Sequence, residues 1–440
     1  MRRLLSRTGI FATAATGAWG AAILQFLAGV IVVRSLPPTE VGTFFFGAAI
    51  AAFAFGVLDL RVEEGLTQFL VREANLDRES RVRAALRFAV VVDAVSGAVI
   101  FGIVLAAGLL LPLHLSHETR AVAAIAALAA LVGISDGSFL GVLYAQHAFG
   151  WLSAYQVVAN GGRCVALLAL PLHKPSDAAW AMVAAQIVST AFVATTVVLR
   201  VPREGERLAR ADRRWLLRFS LHVGVASAVA TVRTTAIPLV VGGLGTARQV
   251  ASARVAESPT KVLGTIAAPL RTILFPRLST AWARRDRDAA RSLVRQYLVT
   301  TAVLTGVVGT AMALAMNLVL TKIYGAAYGG LARVGQLFVL AAVLDALAGW
   351  QKVAPASLNR PWLRTFILLG ESGALLVALL ILVPRHGPLG AAISAAVAAA
   401  ASLAFGTYWL RPALRAENWS EEPLRDGPTR GETYAANRPR

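Results

Sequence analysis

The sequence predicts an all-α polytopic membrane protein, with about twelve transmembrane helices in two six-helix lobes. Apolar blocks of about 20 residues recur along nearly the whole chain, and short arginine-rich breaks separate them. A block of this length crosses the ~30 Å hydrocarbon layer as a helix. The composition agrees, because 57% of the residues are hydrophobic and only 15% are charged. The longest internal break, residues 200–218, has six blocks on either side.

The elements follow in order. The first lobe is predicted to hold the spans 10–33, 41–62, 86–111, 119–142, 153–172 and 178–199. The second is predicted to hold 217–242, 247–275, 296–320, 331–353, 364–383 and 389–410. The corresponding domains are the N-terminal lobe 1–200, a basic cytoplasmic linker 201–218, the C-terminal lobe 219–412 and a tail 413–440. The tail is rich in Pro, Gly, Asn and charge, which predicts disorder.

The two halves enter their second spans in a similar way. Residues 33–42 and 241–251 each give a valine, a leucine three residues later, a tight turn and a valine that opens the next span. This indicates a tandem repeat, which is a common construction of secondary transporters.

The net charge of +19 is mostly a signal of topology. Of 43 Lys and Arg residues, 29 lie at the N-terminus, in alternate loops and in the tail, whereas six lie in the opposite loops. Orientation follows the Lys and Arg content of short loops. We therefore expect both termini in the cytoplasm, a location in the cytoplasmic (inner) membrane, and no nucleic-acid partner.

Two of the basic cytoplasmic loops, 72–87 and 276–295, mix charges with spaced apolar residues. In the second loop, Leu278, Trp282, Leu293 and Tyr297 recur at roughly helical spacing. This pattern predicts short amphipathic helices on the inner leaflet.

Charged residues inside the spans are the candidate functional residues, because a charge at the bilayer centre costs about 2.5–3.5 kcal/mol on insertion scales. The eighth span carries Arg254, Glu257 and Lys261 on one helical face, and Arg271 follows further along. Pro259, Gly264 and Pro269 make this helix breakable. Three cations with one acid require acids from other helices or an anionic ligand.

Arg233 lies in the middle of the seventh span beside three threonines. A guanidinium can hold phosphate in a bidentate fork, which predicts contact with a diphosphate. The alternative is that Arg233 pairs with a neighbouring carboxylate and fixes the lobe. The other charged residues of the spans include Arg163, Arg333, Lys352, Asp136 and the Asp59–Glu64 cluster. Two interpretations of these residues are equally open: a contact with a partner or cavity inside the protein, or a position near a helix end from which the charge reaches the membrane surface.

The predicted substrate-binding residues are Arg233, Arg254, Lys261, Arg61 and Arg271. The predicted coupling residues are Glu257, Asp59 and Asp345. Glu257 lies between two cations, so it is expected to pair with the arginines that the ligand later occupies; a permanent salt bridge is the alternative.

The sequence predicts that the protein is not an enzyme and that it has no catalytic residue, metal site or cofactor. The six histidines lack the spacing of metal ligands, and no phosphate-binding glycine loop is present.

Four short motifs carry a resemblance to a known family. They are the turn at residues 33–42, Leu58-Asp59-Leu60, Phe275-Pro276-Arg277-Leu278-Ser279 and Ile323-Tyr324-Gly325-Ala326-Ala327-Tyr328. In order and spacing they resemble the motifs of bacterial polysaccharide and O-antigen flippases, which belong to the multidrug/oligosaccharidyl-lipid/polysaccharide exporter (MOP) superfamily. The likeness covers about residues 8–412. Arg61 stands where the family's Asp-Leu-Gly signature usually has glycine, and no acid precedes Arg233, where many relatives carry one.

The resemblance implies a MATE-like fold, in which two six-helix lobes enclose a central cavity. It implies a flippase that moves a polyprenyl-diphosphate-linked oligosaccharide across the membrane by alternating access. It also implies membrane lipids as partners, together with a polysaccharide polymerase and glycosyltransferases of the same pathway, and a monomeric protein. Two rivals remain. A MATE-type drug/cation antiporter would need an acidic cavity, and a membrane polysaccharide polymerase or ligase would generally need a large outer loop.

Overall fold

The computed structural model describes residues 2–74, 81–110, 115–201, 208–284, 286–358 and 361–415, and this part of the chain is helical without any β-strand. Helix α16 runs to Arg415, so residues 413–415 of the predicted tail are helical. Residues 416–440 of the predicted disordered tail and 202–207 of the predicted linker lie outside the described residues.

Among the described residues, the first half of the chain contains eight α-helices. They are α1 (Arg2–Ser35), α2 (Pro38–Leu58), α3 (Val62–Ala74), α4 (Val82–Leu110), α5 (His117–Gly133), α6 (Asp136–Ala145), α7 (Phe149–Ala169) and α8 (Pro175–Val198).

The second half also contains eight helices. They are α9 (Arg210–Leu244), α10 (Ala247–Glu257), α11 (Lys261–Ala283), α12 (Arg287–Val319), α13 (Ala332–Leu347), α14 (Ala354–Ser357), α15 (Pro361–His386) and α16 (Pro388–Arg415). Short helical turns of other types join them at Ser258–Thr260, Leu320–Tyr324, Ala326–Leu331 and Ala348–Lys352.

Within the described ranges, nine helical segments are long and apolar enough to cross a membrane, judged by length and composition. Three predicted spans are not among the nine. The apolar part of α1 is the shorter stretch Trp19–Ser35, α7 carries Arg163, and α10 is separated from α11 by a turn. Each of the twelve predicted spans nevertheless overlaps a helix or a broken pair of helices.

The helix pairing of the first half recurs in the second. Helix α7 packs against α1 and α8, and α15 packs against α9 and α16 in the same way. Likewise α5 packs against α4 and α8, and α13 packs against α12 and α16. Such repetition is what a tandem pair of six-helix lobes produces, and it supports the proposed division of the chain.

Four predicted spans are broken, and these are the second and fourth spans of each half. The breaks lie at residues 59–61, 134–135, 258–260 and 348–353. The first follows from a local hydrogen bond, because the Asp59 carboxylate accepts the backbone N–H of Arg61 at 3.1 Å. The third contains Pro259, which cannot donate a helical hydrogen bond.

The described residues of the two basic loops lie in or beside α3, α4, α11 and α12, and residues 75–80 and 285 lie outside the described residues. The apolar stripe of the second loop faces the protein, because Leu278, Trp282 and Tyr297 are buried in a cluster with Leu363 and Ile367. In the first loop, the start of α4 buries Ala85 and Leu86 in the same manner. Packing against neighbouring helices therefore replaces the expected contact with lipid.

Candidate substrate site

The broken eighth span brings together three of the predicted site residues. Arg254 lies in the last turn of α10 and donates from Nη1 to Glu257 Oε2 at 2.8 Å. Its guanidinium also lies 5.7 Å from the ring centroid of Phe45, which belongs to α2 in the first half. Arg254 is thus held by one carboxylate and by a cation–π contact across the two halves.

Lys261 begins α11 and is exposed. No carboxylate lies within salt-bridge distance of its ammonium among the residues whose side chains are described. Its electrostatic neighbours are Arg254 and Glu257. Since Glu257 already pairs with Arg254, the charge of Lys261 is left without a dedicated counter-ion.

Arg233 is paired with carboxylates. Its Nη2 lies 2.7 Å from Asp345 Oδ1 and its Nε lies 2.6 Å from Glu371 Oε1. Lys352 completes the group, with Nζ 2.6 Å from the same Asp345 oxygen and 3.9 Å from Glu371 Oε2. The sequence left open whether Arg233 contacts a ligand or a carboxylate, and in this conformation it contacts two carboxylates.

Glu371 is the most buried member of this network, with a side chain only 2% exposed. It also accepts a hydrogen bond of 3.0 Å from Ser402 on α16. The network therefore joins α9, α13, α15 and α16, together with the turn that carries Lys352. A buried carboxylate needs such partners, because an isolated buried charge is very costly.

The network and the eighth span form one electrostatic unit. Glu257 interacts with both Arg233 and Lys261, and Arg271 interacts with Asp345. Five cations and three carboxylates make up this unit: Arg233, Arg254, Lys261, Arg271, Lys352, Glu257, Asp345 and Glu371. Its net charge is +2.

Arg271 lies on α11 beside the break of the tenth span. A Cβ built on Gly349 would lie 2.9 Å from Arg271 Cδ and also against the Tyr297 hydroxyl, so these two side chains occupy the space beside Gly349. No carboxylate is within 4.0 Å of its guanidinium among the described side chains. From Lys261 to Arg271 the helix rises about 15 Å, so the two residues lie at different levels along α11.

Arg61 and Asp59 lie at the break of the second span. Arg61 Nη1 is 3.1 Å from Glu63 Oε1, and its Nε is 3.6 Å from Asp59 Oδ2. Arg61 therefore pairs with both Asp59 and Glu63, and these ion pairs lie within the first half.

A cavity of about 310 Å³ in the first half was not predicted. Its lining is mostly apolar, and its polar side chains are those of Asp136, Tyr155, Arg163 and Gln186. Asp136 Oδ2 accepts from Tyr155 at 2.6 Å and from Gln186 at 2.7 Å. The sequence leaves open whether Asp136 and Arg163 reach towards the membrane surface. Asp136 does not, because it is buried and hydrogen-bonded inside the lobe.

Neither Glu371 nor Lys352 is among the predicted site residues. For Lys352 a signal existed, because Asp345 and Lys352 are seven residues apart, a spacing that puts both on one helical face. For Glu371 no local signal existed, because its partners Arg233 and Ser402 are distant in sequence.

Comparisons with known proteins agree with this architecture. A family model described as polysaccharide biosynthesis protein matches residues 31–333. No curated protein sequence matches the chain.

Several solved structures share the fold. A multidrug resistance MATE transporter of the MOP superfamily, in an inward-facing conformation, has a TM-score of 0.72 at 15% identity, over 89% of this chain and 94% of that one. The lipid II flippase MurJ, in an inward closed conformation, has a TM-score of 0.72 at 11% identity, over 90% and 87%. A MOP superfamily transporter from Pyrococcus furiosus has a TM-score of 0.62 at 15% identity, over 91% and 96%. The predicted MATE-like helical membrane fold is therefore confirmed.

Proposed function

Because this chain belongs to the polysaccharide biosynthesis protein family, we propose that it is a flippase for a polyprenyl-diphosphate-linked oligosaccharide. It moves this lipid from the cytoplasmic to the outer leaflet of the cytoplasmic membrane by alternating access between two six-helix lobes. The similarity to the lipid II flippase MurJ and to MATE transporters supports a transporter of the same fold. The proposed role is transport without covalent chemistry.

The observation that carries the proposal is the positive charge deep in the second half. The eight-residue unit around the broken eighth span has a net charge of +2 and includes Lys261, which is exposed and has no carboxylate partner. A diphosphate that is esterified at both ends carries two negative charges. Such an anion would compensate this unit, whereas a cationic drug would be repelled by it.

The physical need for a protein is clear for this substrate. Sugars and a diphosphate cannot enter hydrocarbon without losing their hydrogen bonds to water. The polyprenyl tail is already soluble in the bilayer, so it can remain in the lipid while the polar head passes between the lobes. The positive charge would hold the diphosphate during this passage.

The ion pairs set an order among the proposed substrate contacts. Lys261 stands first, because binding there breaks no existing pair. Arg254 and Arg233 would have to exchange Glu257 and Asp345 for phosphate oxygens, which gives these two carboxylates the proposed coupling role. Arg61, which is paired with Asp59 and Glu63 in the first half, and Arg271, which lies further along α11, would contact the head group at other stages.

The test measures flipping in proteoliposomes of a polyprenyl diphosphate that bears one fluorescent sugar. Lys261→Gln removes the charge while retaining a polar side chain. We expect it to lower both the flipping rate and the affinity for this probe by at least about tenfold, since hydrogen bonds to charged groups are worth about 1.5–3 kcal/mol.

The matched control is Lys174→Gln. Lys174 is also an exposed lysine, but it lies just before α8 in the first half, outside the charged unit, so flipping should be unchanged. Equal rates for both variants would remove Lys261 from the site. Equal binding of a polyprenyl-linked sugar that lacks the diphosphate would contradict a diphosphate site.

A further inference from the structure

One contact joins the outer ends of the two halves through a residue that the proposed substrate site does not use. Arg34 lies in the last turn of α1, within the first family motif. Its Nε donates to the backbone carbonyl of Ile323 at 2.7 Å, and its Nη2 donates to the carbonyl of Lys322. Ile323 opens another of the family motifs. Two motifs that are separated by almost 290 residues thus meet in space.

The acceptors are the terminal carbonyls of a helix. Helix α12 continues into the π-helical turn Leu320–Tyr324, which ends at Gly325 with a φ of 114°. The last carbonyls of a helix have no N–H partner further along the helix and carry partial negative charge. A guanidinium supplies donors for two of them at once, which a lysine ammonium cannot do in the same geometry.

Arg34 also lies at the end of its own helix, because α1 ends at Ser35. The C-terminal ends of α1 and α12 therefore meet at one place, and both are negative ends of helix dipoles. Arg34 lies between them and, with Lys322 in the last turn of the second helix, offsets their repulsion. Loss of the Arg34 charge should therefore favour their separation.

Other contacts close the same region. The rings of Phe26 on α1 and Tyr324 pack edge to face with centroids 6.0 Å apart. Helix α2 lies so close to α10 that a Cβ on Gly42 would be 1.6 Å from the carbonyl oxygen of Ala247. The outer ends of the two halves are therefore in direct contact in this conformation.

We propose that Arg34 is a positioning residue of the transport cycle, which holds the outer gate closed by capping the end of α12 across the two halves. The proposal rests on the alternating access proposed above. Its hydrogen bonds are exposed, so water can replace them when the halves separate. The two hydrogen bonds of Arg34 therefore favour the closed gate without preventing its opening in each cycle.

The experiment measures entry of a reagent from the outer side and needs no substrate, so its result is independent of the substrate class. Gly264→Cys, in a Cys164→Ser background, places a thiol one turn from Lys261, where an added Cβ meets no other atom within 4 Å. Right-side-out vesicles are treated with an impermeant maleimide, and total thiol is measured after denaturation. The labelling rate then reports opening of the outer gate.

Arg34→Gln should raise this labelling rate about tenfold, because it removes two charge-assisted hydrogen bonds. Arg34→Lys retains the charge between the helix ends but loses the fork, so a smaller rise is expected. The matched control is Arg120→Gln. Arg120 also donates from Nε and Nη2 to a backbone carbonyl, that of Leu115, but within the first half alone, so its loss should leave the rate unchanged.

Rates within twofold of the parent for both Arg34 variants would overturn the proposal. If Arg34→Gln does not insert into the membrane, Arg34→Lys decides alone, with a raised rate in support and the parental rate against. An equal rise for Arg120→Gln would also contradict it, since the effect would then be a general loosening of the outer end. A flipping defect in an Arg34 variant that keeps the parental labelling rate would also overturn the proposal, because Arg34 would then act on the substrate and not on the gate.

Discussion

Arg61 adopts a backbone conformation that favours glycine. Its φ is 51°, in the left-handed region, where a Cβ is crowded by the following carbonyl. The family signature that this segment resembles usually has glycine at this position, and the break between α2 and α3 explains why. The ion pairs of Arg61 with Asp59 and Glu63 offset part of the backbone strain in this chain.

This gives a prediction with a reversal of sign. Arg61→Gly and Arg61→Ala both remove the ion pairs, but only glycine relieves the strain, so the glycine variant should be more stable by about 1 kcal/mol. Denaturant unfolding in detergent measures the difference. At Arg120, inside helix α5, the order should be reversed, because glycine is the poorer helix former. An alanine variant at position 61 as stable as the glycine variant would contradict the argument.

At the scale of helices, the carboxylate of Glu371 determines how the second half is fastened together. It lies on α15 and contacts Arg233 on α9, Lys352 in the turn after α13, and Ser402 on α16. These contacts join helices that are distant along the chain. The break of the tenth span at residues 348–353 lies between Asp345 and α14 and brings Lys352 to the same carboxylates.

Glu371→Ala should therefore destabilise the folded protein by about 3 kcal/mol, because it removes a buried carboxylate and leaves the half-buried Arg233 with one shared carboxylate. Thermal or denaturant unfolding in detergent is the measurement. Asp288→Ala is the control, since Asp288 pairs with Arg291 on the surface and its side chain is 96% exposed. That change should cost less than about 1 kcal/mol. Similar losses for both variants would show that the network contributes little to stability.

At the scale of the whole molecule, the orientation in the membrane is a prediction from charge. The Lys and Arg excess places the basic loops in the cytoplasm. In a Cys164→Ser background, single cysteines at His173 and Asp288, both exposed, should react differently with an impermeant reagent. Only the cysteine at 173 should be labelled in right-side-out vesicles, and only the one at 288 in inverted vesicles. The opposite pattern would reverse the orientation.

Much of this architecture could be read from local sequence. Hydrophobic length predicts spans because a helix must cross a layer of fixed thickness, and every one of the twelve predicted spans overlaps a helix. The stripe Arg254, Glu257 and Lys261 was predictable because residues three and four apart share a helical face, and the Arg254–Glu257 pair has that geometry. The repeat was visible as similar turns at residues 33–42 and 241–251.

Contacts between distant segments could not be read in this way. Two arginines show this. The Asp345 carboxylate that pairs with Arg233 and the Ile323 carbonyl that accepts from Arg34 each lie more than 100 residues away along the chain. The amphipathic stripe of Leu278 and Trp282 had the period of a membrane-surface helix, but periodicity does not say whether lipid or protein covers the apolar face. Sequence thus determined the helices and their charges, because both are local properties of the chain. Tertiary packing alone decided which charges remain unpaired, because Coulomb energies depend on distances that only the fold sets.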